Sequence, residues 1–541
     1  MEKAGSFTKQ IFFLTLLVAA VIAAVNFFNP LVSIGIAIAL AFLLFLVRKP
    51  VYSIILLILA TPFSATEILD TSLAGIPGMK IANILAVAAI ILLLMKKKPA
   101  KLSKEDRIFI YGLLIIFTVA VLRSVSYIGL TYNMIWTDQY SLTKYLLSHL
   151  VKPLLIFLPF ILISVFVRSK EEIEKIIISV MLSIILLSVT ILILYIFFTT
   201  DKLNFEAVRI GFSKVLGMHD NNLADFYIAV YPILLAYAVN KKSWFWAGGV
   251  FVSLCAIGII YSRSAYLVII LCTFAFFLVS RRARLLPWVI GAALAALNFI
   301  PQTIIQRALT GLADNDLNAI SAGRVAQIWL PLIQEFLAQP LKLITGAGRY
   351  AIMGTVAFKS GQILQVGHAH SMYLDTLLDS GMIGLIFFLA FFFLFLRKFL
   401  GTHKYVHDSL YVDILTGIEI SIAAFLIRGV TDSFFFPTLT NAFLWINLGI
   451  GTAIVYLFRE QVKRQDRQPG ERPDGQLDEL PDEQPDGRLD EQTYGQSDTQ
   501  IGGKLDKQPD MRLDKYSDDT GPEESEAGRF NLHTDEGGQG I

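Results

Sequence analysis

Cysteine is nearly absent from this sequence, and its scarcity removes two classes of protein. Only Cys255 and Cys272 occur in 541 residues, and both lie inside apolar runs. Two cysteines in such positions provide neither a disulfide framework nor a metal site built on thiolates. Small disulfide-rich proteins and thiolate-metal proteins are therefore excluded.

The sequence also lacks the short motifs of common soluble enzymes. It contains no phosphate-binding loop ending in Gly-Lys-Ser/Thr, no dinucleotide fingerprint and no His-Glu-x-x-His. The triplet Asp314-Asn-Asp316 offers carboxylates to a divalent metal, but two acids in a polar loop are more often simply solvated. We therefore expect no metal site and no cofactor, and we expect no nucleic-acid partner.

What the sequence has in abundance is apolar residues. They make up 55% of it, 40 residues are Phe, and the mean hydropathy is +0.60, which is more than the core of a water-soluble protein needs. A helix of about 20 apolar residues crosses a hydrocarbon layer about 30 Å thick. Runs close to this length predict an all-α, polytopic membrane protein with about 12 to 14 transmembrane helices. They lie near residues 11–28, 31–47, 51–67, 80–94, 108–125, 150–167, 175–198, 222–239, 244–261, 264–280, 286–300, 380–397, 411–434 and 440–457.

The charge of the chain is balanced overall but not along its length. The net charge is +2, yet residues 461–541 carry 10 Lys/Arg against 21 Asp/Glu. The basic residues of the apolar part fall in alternate turns, at 48–49, 96–107, 168–175, 241–242, 281–284, 397–404 and 459–467. Because short basic loops stay in the cytoplasm, we expect both termini there. The first apolar run has no small-residue cleavage site, so it is predicted to be a retained span.

Three regions follow from this pattern. Residues 1–204 are predicted to be N-terminal membrane helices, 205–458 a membrane region with a large extracytoplasmic loop at 301–371, and 459–541 a disordered, acidic, repeat-containing cytoplasmic tail. Within the loop, apolar residues at steps of three and four predict an amphipathic helix from about Ser321 to Pro340. A second, interfacial helix is predicted from Ser371 to Ser380, leading through Gly381 into the next span.

Polar residues suited to chemistry gather on the face opposite the basic turns. A lone charged side chain near the end of a span usually extends to the water at the membrane interface and has no further role. That interpretation stays open for each of these residues. It fits Arg263 and Arg428 less well, because a buried arginine costs about 2.5 to 3.5 kcal/mol on insertion scales. Arg428 has an acid one turn away, whereas Arg263 has none nearby in sequence, so a bound anion explains it better. The set comprises Arg209, His219, Asp220, Arg263, Arg324, His368, His370, Arg428 and Asp432.

Arginine and histidine together indicate phosphate chemistry. A guanidinium binds phosphate oxygens through paired, charge-assisted hydrogen bonds and stays protonated. Histidine moves protons near neutral pH. A pyrophosphate at the outer leaflet fits both, although the two histidines could also be incidental interfacial residues.

Several of these residues stand in a recognisable order. The order is Tyr261-Ser-Arg263-Ser-Ala265, then Ser321-Ala-Gly-Arg324, then Gly346-Ala-Gly348, then His368-Ala-His370-Ser-Met-Tyr373-Leu374, then Ser380-Gly381-Met-Ile-Gly384. Over about residues 205–440 the chain resembles the superfamily of O-antigen ligases and polymerases. That family usually has Asn where this chain has Ser371, and a serine can make a comparable hydrogen bond.

The resemblance implies a metal-independent glycosyltransferase. It would move a glycan from a polyprenyl-pyrophosphate donor to an acceptor hydroxyl at the outer face of a bacterial plasma membrane, in cell-surface polysaccharide biosynthesis. It implies catalytic roles for His370, Arg263 and Arg209. Substrate-binding roles fall to Arg324, His368, His219 and Arg428. The implied partners are the lipid-linked donor, a glycan or lipid acceptor, the bilayer and other polysaccharide assembly proteins.

Two alternatives stay open. A polymerase of the same superfamily would use the same donor and pass the glycan to a second lipid-linked repeat. A flippase or transporter should place charges near the bilayer midplane and show related halves. The spans look almost free of such charges and no internal repeat is visible, so we rank transport below transfer.

Overall fold

The computed structural model describes most of the apolar part of the chain. It describes residues 41–70, 80–96, 98–132, 139–199, 204–297, 321, 323–363, 366–432 and 434–466. By its contacts the chain separates into a unit Met1–Glu471 and a unit Arg472–Ile541. The predicted span at 11–28, the first ten residues of that at 31–47, the Asp314-Asn-Asp316 triplet and nearly all of the tail lie outside the described residues.

Every regular element in the described residues is helical. Short helical turns lie between the main helices, and two of them, Ala351–Gly354 and Val356–Lys359, follow α13. The main helices are α1 Ala41–Arg48, α2 Val51–Ala60, α3 Ile81–Lys96, α4 Lys104–Thr131, α5 Leu142–Phe166, α6 Lys170–Phe198, α7 Phe205–Leu216, α8 Asp220–Lys241, α9 Trp244–Ile260, α10 Arg263–Val279, α11 Leu286–Leu297, α12 Val325–Leu337, α13 Pro340–Thr345, α14 Met372–Leu400, α15 Ser409–Arg428 and α16 Ala442–Asp466.

The polytopic all-α membrane fold is confirmed. Among the described residues, seven helices are long and apolar enough to cross a membrane: α4, α5, α6, α8, α14, α15 and α16. An eighth span exists if α1 and α2 form one, although the pair is bent by 117°. The shorter apolar helices α3, α9 and α10 occupy three more of the predicted spans.

The turns predicted to be basic and cytoplasmic meet at one end of the bundle. Asp106 at the start of α4 accepts hydrogen bonds from Lys398 Nζ near the end of α14 and from Tyr456 OH of α16, each at 2.6 Å. Arg282, just after α10, contacts Asp413 of α15 at 2.8 Å. Since these residues come from alternate turns of the sequence, the up-and-down order expected for the helices is present in the fold.

Helix α8 lies at the centre of the bundle and is packed on most sides. Pro232 interrupts it, and proline cannot donate the backbone hydrogen bond that the preceding turn expects. The acceptor of that missing bond is the carbonyl of Ile228, four residues earlier. Side chains of two other helices donate to the next carbonyl oxygen, that of Ala229: Ser421 Oγ at 2.8 Å and Asn447 Nδ2 at 2.7 Å. Neighbouring helices thus satisfy backbone that the lipid could not.

One expectation about charge was too simple. Glu419 lies near the middle of α15 and is buried, with His403 Nε2 at 2.8 Å from its carboxylate. The membrane helices therefore do contain a charged group far from their ends. It is paired within the protein, as intramembrane acids usually are.

Both helices predicted around the large loop are confirmed. The amphipathic helix α12 begins after Arg324 and ends before Pro340. The helix capped by Ser371 breaks at Gly381, whose φ of 69° and ψ of −173° are non-helical. A Cβ at Gly381 would meet the carbonyl oxygen of Ile344, so the break brings α14 and α13 into backbone contact.

Candidate functional site

Five separate segments meet at the end of the bundle opposite the paired basic turns. They are the start of α8, the turn before α10, the start of α12, the segment before α14 and the turn after α15. Each carries one or more of the polar residues singled out in the sequence. Because long apolar helices fix the positions of these short segments, the site rests on a rigid frame.

Asp432 lies at the centre of this meeting point. Its carboxylate accepts a hydrogen bond from Asn221 Nδ2 at 3.1 Å and lies 3.7 Å from both His370 Nδ1 and Arg428 Nη2. Burial alone would raise the pKa of the Asp432 carboxyl, but contact with His370 and the positive charge of Arg428 outweigh burial and lower it. Asp432 is therefore a carboxylate that orients its neighbours.

Arg428 is held by the protein on several sides. It is only 2% exposed, and its Nε lies 3.2 Å from Asp225 of α8. Its Nη1 also donates to Ser264 Oγ, beside Arg263. The prediction from sequence that Arg428 pairs with Asp432 is thus incomplete, since the buried Asp225 is the nearer acid. Arg428 ties the turn before α10 to α8 and α15.

Arg324 reaches the same turn from the start of α12. Its guanidinium donates to the carbonyl oxygen of Thr431, next to Asp432. Burial lowers the pKa of Arg324, Asp432 raises it, and the positive charges of Arg428 and Arg263 lower it further. The guanidinium groups of Arg428 and Arg263 therefore lie within electrostatic range of Arg324. The buried carboxylates of Asp432 and Asp225 pair with Arg428 in the same cluster.

The two histidines form a close, tilted pair of rings on a segment held by hydrogen bonds. Their ring centres are 4.0 Å apart. Trp329 Nε1 donates to the carbonyl oxygen of Ala369 at 2.8 Å, and Ala369 N donates to Asp375 Oδ1 at 2.8 Å. His370 itself has a φ of 54°, in the left-handed region that non-glycine residues rarely occupy. The surrounding bonds maintain this conformation, which is typical of functional segments.

The two rings differ in their surroundings. His368 Nδ1 accepts the backbone N–H of His370 at 3.2 Å, so the proton of neutral His368 sits on Nε2. Burial lowers the pKa of His368 to about 3, and the neighbouring His370 adds to the effect. His368 is therefore neutral at physiological pH and offers a hydrogen-bond donor. His370 Nδ1 instead faces the Asp432 carboxylate.

Arg209 and His219 lie beside this cluster, and both contact Asp220. Arg209 Nε is 3.2 Å from Asp220, Nη1 is 3.2 Å from Glu206, and Nη2 contacts His219 Nε2. His219 also caps the start of α8. The link to the histidine pair runs through the chain, since Asn221, which binds Asp432, directly follows Asp220.

Sequence reasoning missed a second layer beneath the histidines. Arg349 Nη1 lies 2.7 Å from Asp379 Oδ2, and both side chains are buried. The Arg349 guanidinium lies over Phe434, whose ring centre is 4.9 Å from that of His368. Asp375 and Asp379 are one helical turn apart after His370, and that spacing was the available signal.

The same residues could be considered as a metal site. One ligand atom each from His368, His370 and Asp432 lies within 4.8 Å of the others, and imidazole and carboxylate suit several divalent metals. The three surrounding guanidinium groups oppose a cation and favour an anion there. Together with the Asp432 and Asp225 carboxylates that pair with Arg428, the three guanidinium groups leave this cluster with a net charge of +1.

Comparison with known families agrees with the sequence pattern. Residues 247–389 match the family model described as O-Antigen ligase. The match includes Arg263, Arg324, His368 and His370, and it stops before Arg428. No curated protein matches the chain.

Proposed function

We propose, on the premise that residues 247–389 are an O-antigen ligase region, that this membrane protein is a glycosyltransferase of the ligase type. It transfers a glycan from a polyprenyl-pyrophosphate donor to an acceptor hydroxyl, without a metal, at the outer face of a bacterial plasma membrane. Both termini then face the cytoplasm. Nucleotide sugars are not expected outside the cytoplasm, so such an enzyme needs a donor that carries its own leaving group.

The observation that carries this proposal is the grouping of Arg263, Arg324 and Arg428 around the histidine pair. Charge develops on the departing pyrophosphate during transfer, and preorganised cations in a partly dry site stabilise it strongly. Arg428 is held between the acids Asp225 and Asp432, the second of which faces His370. We therefore assign pyrophosphate contact to Arg263 and Arg324, and assign to Arg428 the positioning of Asp432.

The two histidines receive different roles. The Asp432 carboxylate favours a proton on Nδ1 of His370, which leaves Nε2 free to take the proton of the acceptor hydroxyl. The acceptor oxygen forms a bond to the anomeric carbon as the bond from that carbon to the pyrophosphate oxygen breaks. A single displacement of this kind inverts the anomeric centre. His368, with its Nε2 proton, donates a hydrogen bond to the substrate.

The remaining predicted residues support the site from one side. Arg209 forms ion pairs with Glu206 and Asp220. We therefore assign to Arg209 a contact with the outer phosphate of the donor or with the acceptor, and we assign His219 to the same subsite. The polymerase alternative differs only in the acceptor, and the product's anchor distinguishes it from a ligase.

The experiment is glycan transfer by the purified chain in nanodiscs, with a polyprenyl-pyrophosphate oligosaccharide, an acceptor lipid and a chelator. His370→Gln should lower the rate by about 10² to 10⁴, and Arg263→Gln by about 10² to 10³. His407→Gln and Arg284→Gln, at exposed positions outside the cluster, are matched controls and should transfer normally.

Either of two results would count against the proposal. Transfer that stops with the chelator and returns with a divalent metal would make this a metal enzyme. Normal transfer by both His370→Gln and Arg263→Gln would show that the cluster is not the active site.

A further inference from the structure

A second polar cleft lies at the same end of the bundle, apart from the histidines. It has a volume of about 260 Å³ and is lined by residues of α4, α12, α13 and the helical turns that follow. Its floor is apolar, with the ring of Phe336, and Tyr127 forms part of its wall. Ligand pockets usually measure about 300 to 1,000 Å³, so this cleft fits a small head group better than an oligosaccharide.

Three cations line the cleft: Arg123, Lys342 and Lys359. Arg123 is held in place through Nη1, which donates to the carbonyl oxygen of Thr345 at 3.2 Å and to its Oγ1 at 3.1 Å. Neither lysine forms an ion pair with any residue that the structure describes. The cleft therefore presents positive charge that the described protein does not neutralise.

The one acid in the cleft has a structural task. The Glu335 carboxylate accepts the backbone N–H groups of Val356 at 2.9 Å and Ala357 at 3.0 Å. These residues begin the short helix that carries Lys359, so Glu335 holds that lysine beside the cleft. Glu335 keeps its negative charge, so the three cations and this acid leave the cleft with a net charge of +2.

Apolar side chains close in sequence to two of the cleft's cations are exposed. Leu122 precedes Arg123 and is 52% exposed, and Leu341 precedes Lys342 and is 71% exposed. Ile344, between that lysine and Thr345, is also exposed. Exposed apolar residues next to cations can lie along the acyl chain of a lipid while the cations contact its phosphate.

We propose that this cleft binds the phosphate head group of a lipid in the membrane, whose hydrocarbon chain lies along these exposed apolar residues. It is a second lipid-phosphate site, separate from the one assigned to the donor. One segment links the two sites: Ala347 and Ala351 line the cleft, and the Arg349 guanidinium between them in sequence lies over Phe434, whose ring is next to His368. In the proposed transferase this site seats the lipid-anchored acceptor, an assignment that rests on the proposed function.

The binding inference is tested without turnover. Polyprenyl monophosphate is titrated into the full chain in detergent and bound lipids are counted by native mass spectrometry. Wild type should bind two. Lys342→Gln/Lys359→Gln should lose one, with the affinity of that site falling about fivefold for each lysine removed. Arg263→Gln should lose the other, and Lys214→Gln, an exposed lysine outside both sites, should keep both.

Two further arms decide the chemistry of the ligand. Glycerol phosphate, which has the anion without the chain, should bind at least tenfold more weakly than the lipid, and phosphatidylcholine should not compete. Unchanged lipid count and affinity in a Lys342→Gln/Lys359→Gln protein that melts like wild type would overturn the proposal. Equal affinity for glycerol phosphate would make the cleft a site for free phosphate and would overturn it as a lipid site.

The acceptor assignment has a separate readout. In the transfer assay, Lys342→Gln/Lys359→Gln should raise the KM for the acceptor lipid about 25-fold and leave the donor KM unchanged. A chain that binds two lipids but transfers nothing would preserve the cleft and refute the proposed function. A chain that transfers with an unchanged acceptor KM, while losing one lipid, would refute only the acceptor assignment.

Discussion

The buried pair of Arg349 and Asp379 should be essential to the stability of the site, although neither residue contacts the histidines directly. Asp379 Oδ2 lies 2.7 Å from Arg349 Nη1, and its Oδ1 accepts the N–H of Ala351 at 3.0 Å. The pair thus fastens the turn at 346–351 to the first part of α14. Removing one partner of a buried ion pair costs about 3 to 5 kcal/mol, because the other charge stays buried.

The magnitude can be separated from simple packing loss with a double-mutant cycle. Asp379→Leu and Arg349→Met should each lower the free energy of unfolding by about 3 to 5 kcal/mol, whereas the double variant should lose much less than the sum. Unfolding of the purified protein in mixed micelles, followed by tryptophan fluorescence, measures all four proteins. Single variants that each cost under about 1 kcal/mol, or that add without coupling, would refute the reasoning.

Three further predictions concern the same end of the bundle. Burial lowers the pKa of His368 to about 3, so its neutral form contributes stability that is complete above pH about 6.5 and is lost as the pH falls toward 3. In His368→Gln, the dependence of melting temperature on pH should therefore flatten over this window. An unchanged slope would contradict this. Asp432→Asn should lower the transfer rate at least tenfold while donor binding, measured by native mass spectrometry, changes little, because the carboxylate orients His370; loss of donor binding instead would place Asp432 in the binding step. Gly381→Ala should destabilise the protein by more than about 2 kcal/mol, because Gly381 has a positive φ and a Cβ there would meet the carbonyl oxygen of Ile344. The control is Gly211→Ala, which has open space around it. In a thermal melt it should be neutral or stabilising by about 0.5 to 1 kcal/mol.

Local features of the fold followed well from sequence. The amphipathic helix α12 was visible as apolar residues at steps of three and four, and the break at Gly381 as a glycine between a mixed segment and an apolar run. Both signals lie within about 15 residues and depend on backbone geometry and burial of one face. Such local patterns predict the fold well because they do not depend on contacts with residues far away in the sequence.

Contacts between distant segments could not be predicted in the same way. Arg349 and Asp379 are 30 residues apart, and Arg428 and Asp225 are 203 apart. A sequence shows that Asp225 is polar within an apolar run, but the identity of its partner depends on which faces of α8 and α15 meet. The sequence therefore pointed to the histidines, to Asp220 and Asp432 and to the arginines other than Arg349. It did not point to Arg349 or to the acids Asp225 and Asp379.

The satisfied carbonyl of Ala229 has a consequence for how the chain is made. Its two donors, Ser421 and Asn447, follow it by 192 and 218 residues, and at about 5 to 20 residues per second the ribosome needs roughly 10 to 40 s to reach the first of them. During that interval α8 has left the ribosome with a backbone interrupted by proline, and Asp225 has not yet formed its ion pair with Arg428. Chains that stop before α15 lack both donors and Arg428, and because Asn447 lies in α16, these contacts of α8 are complete only when α16 has been made.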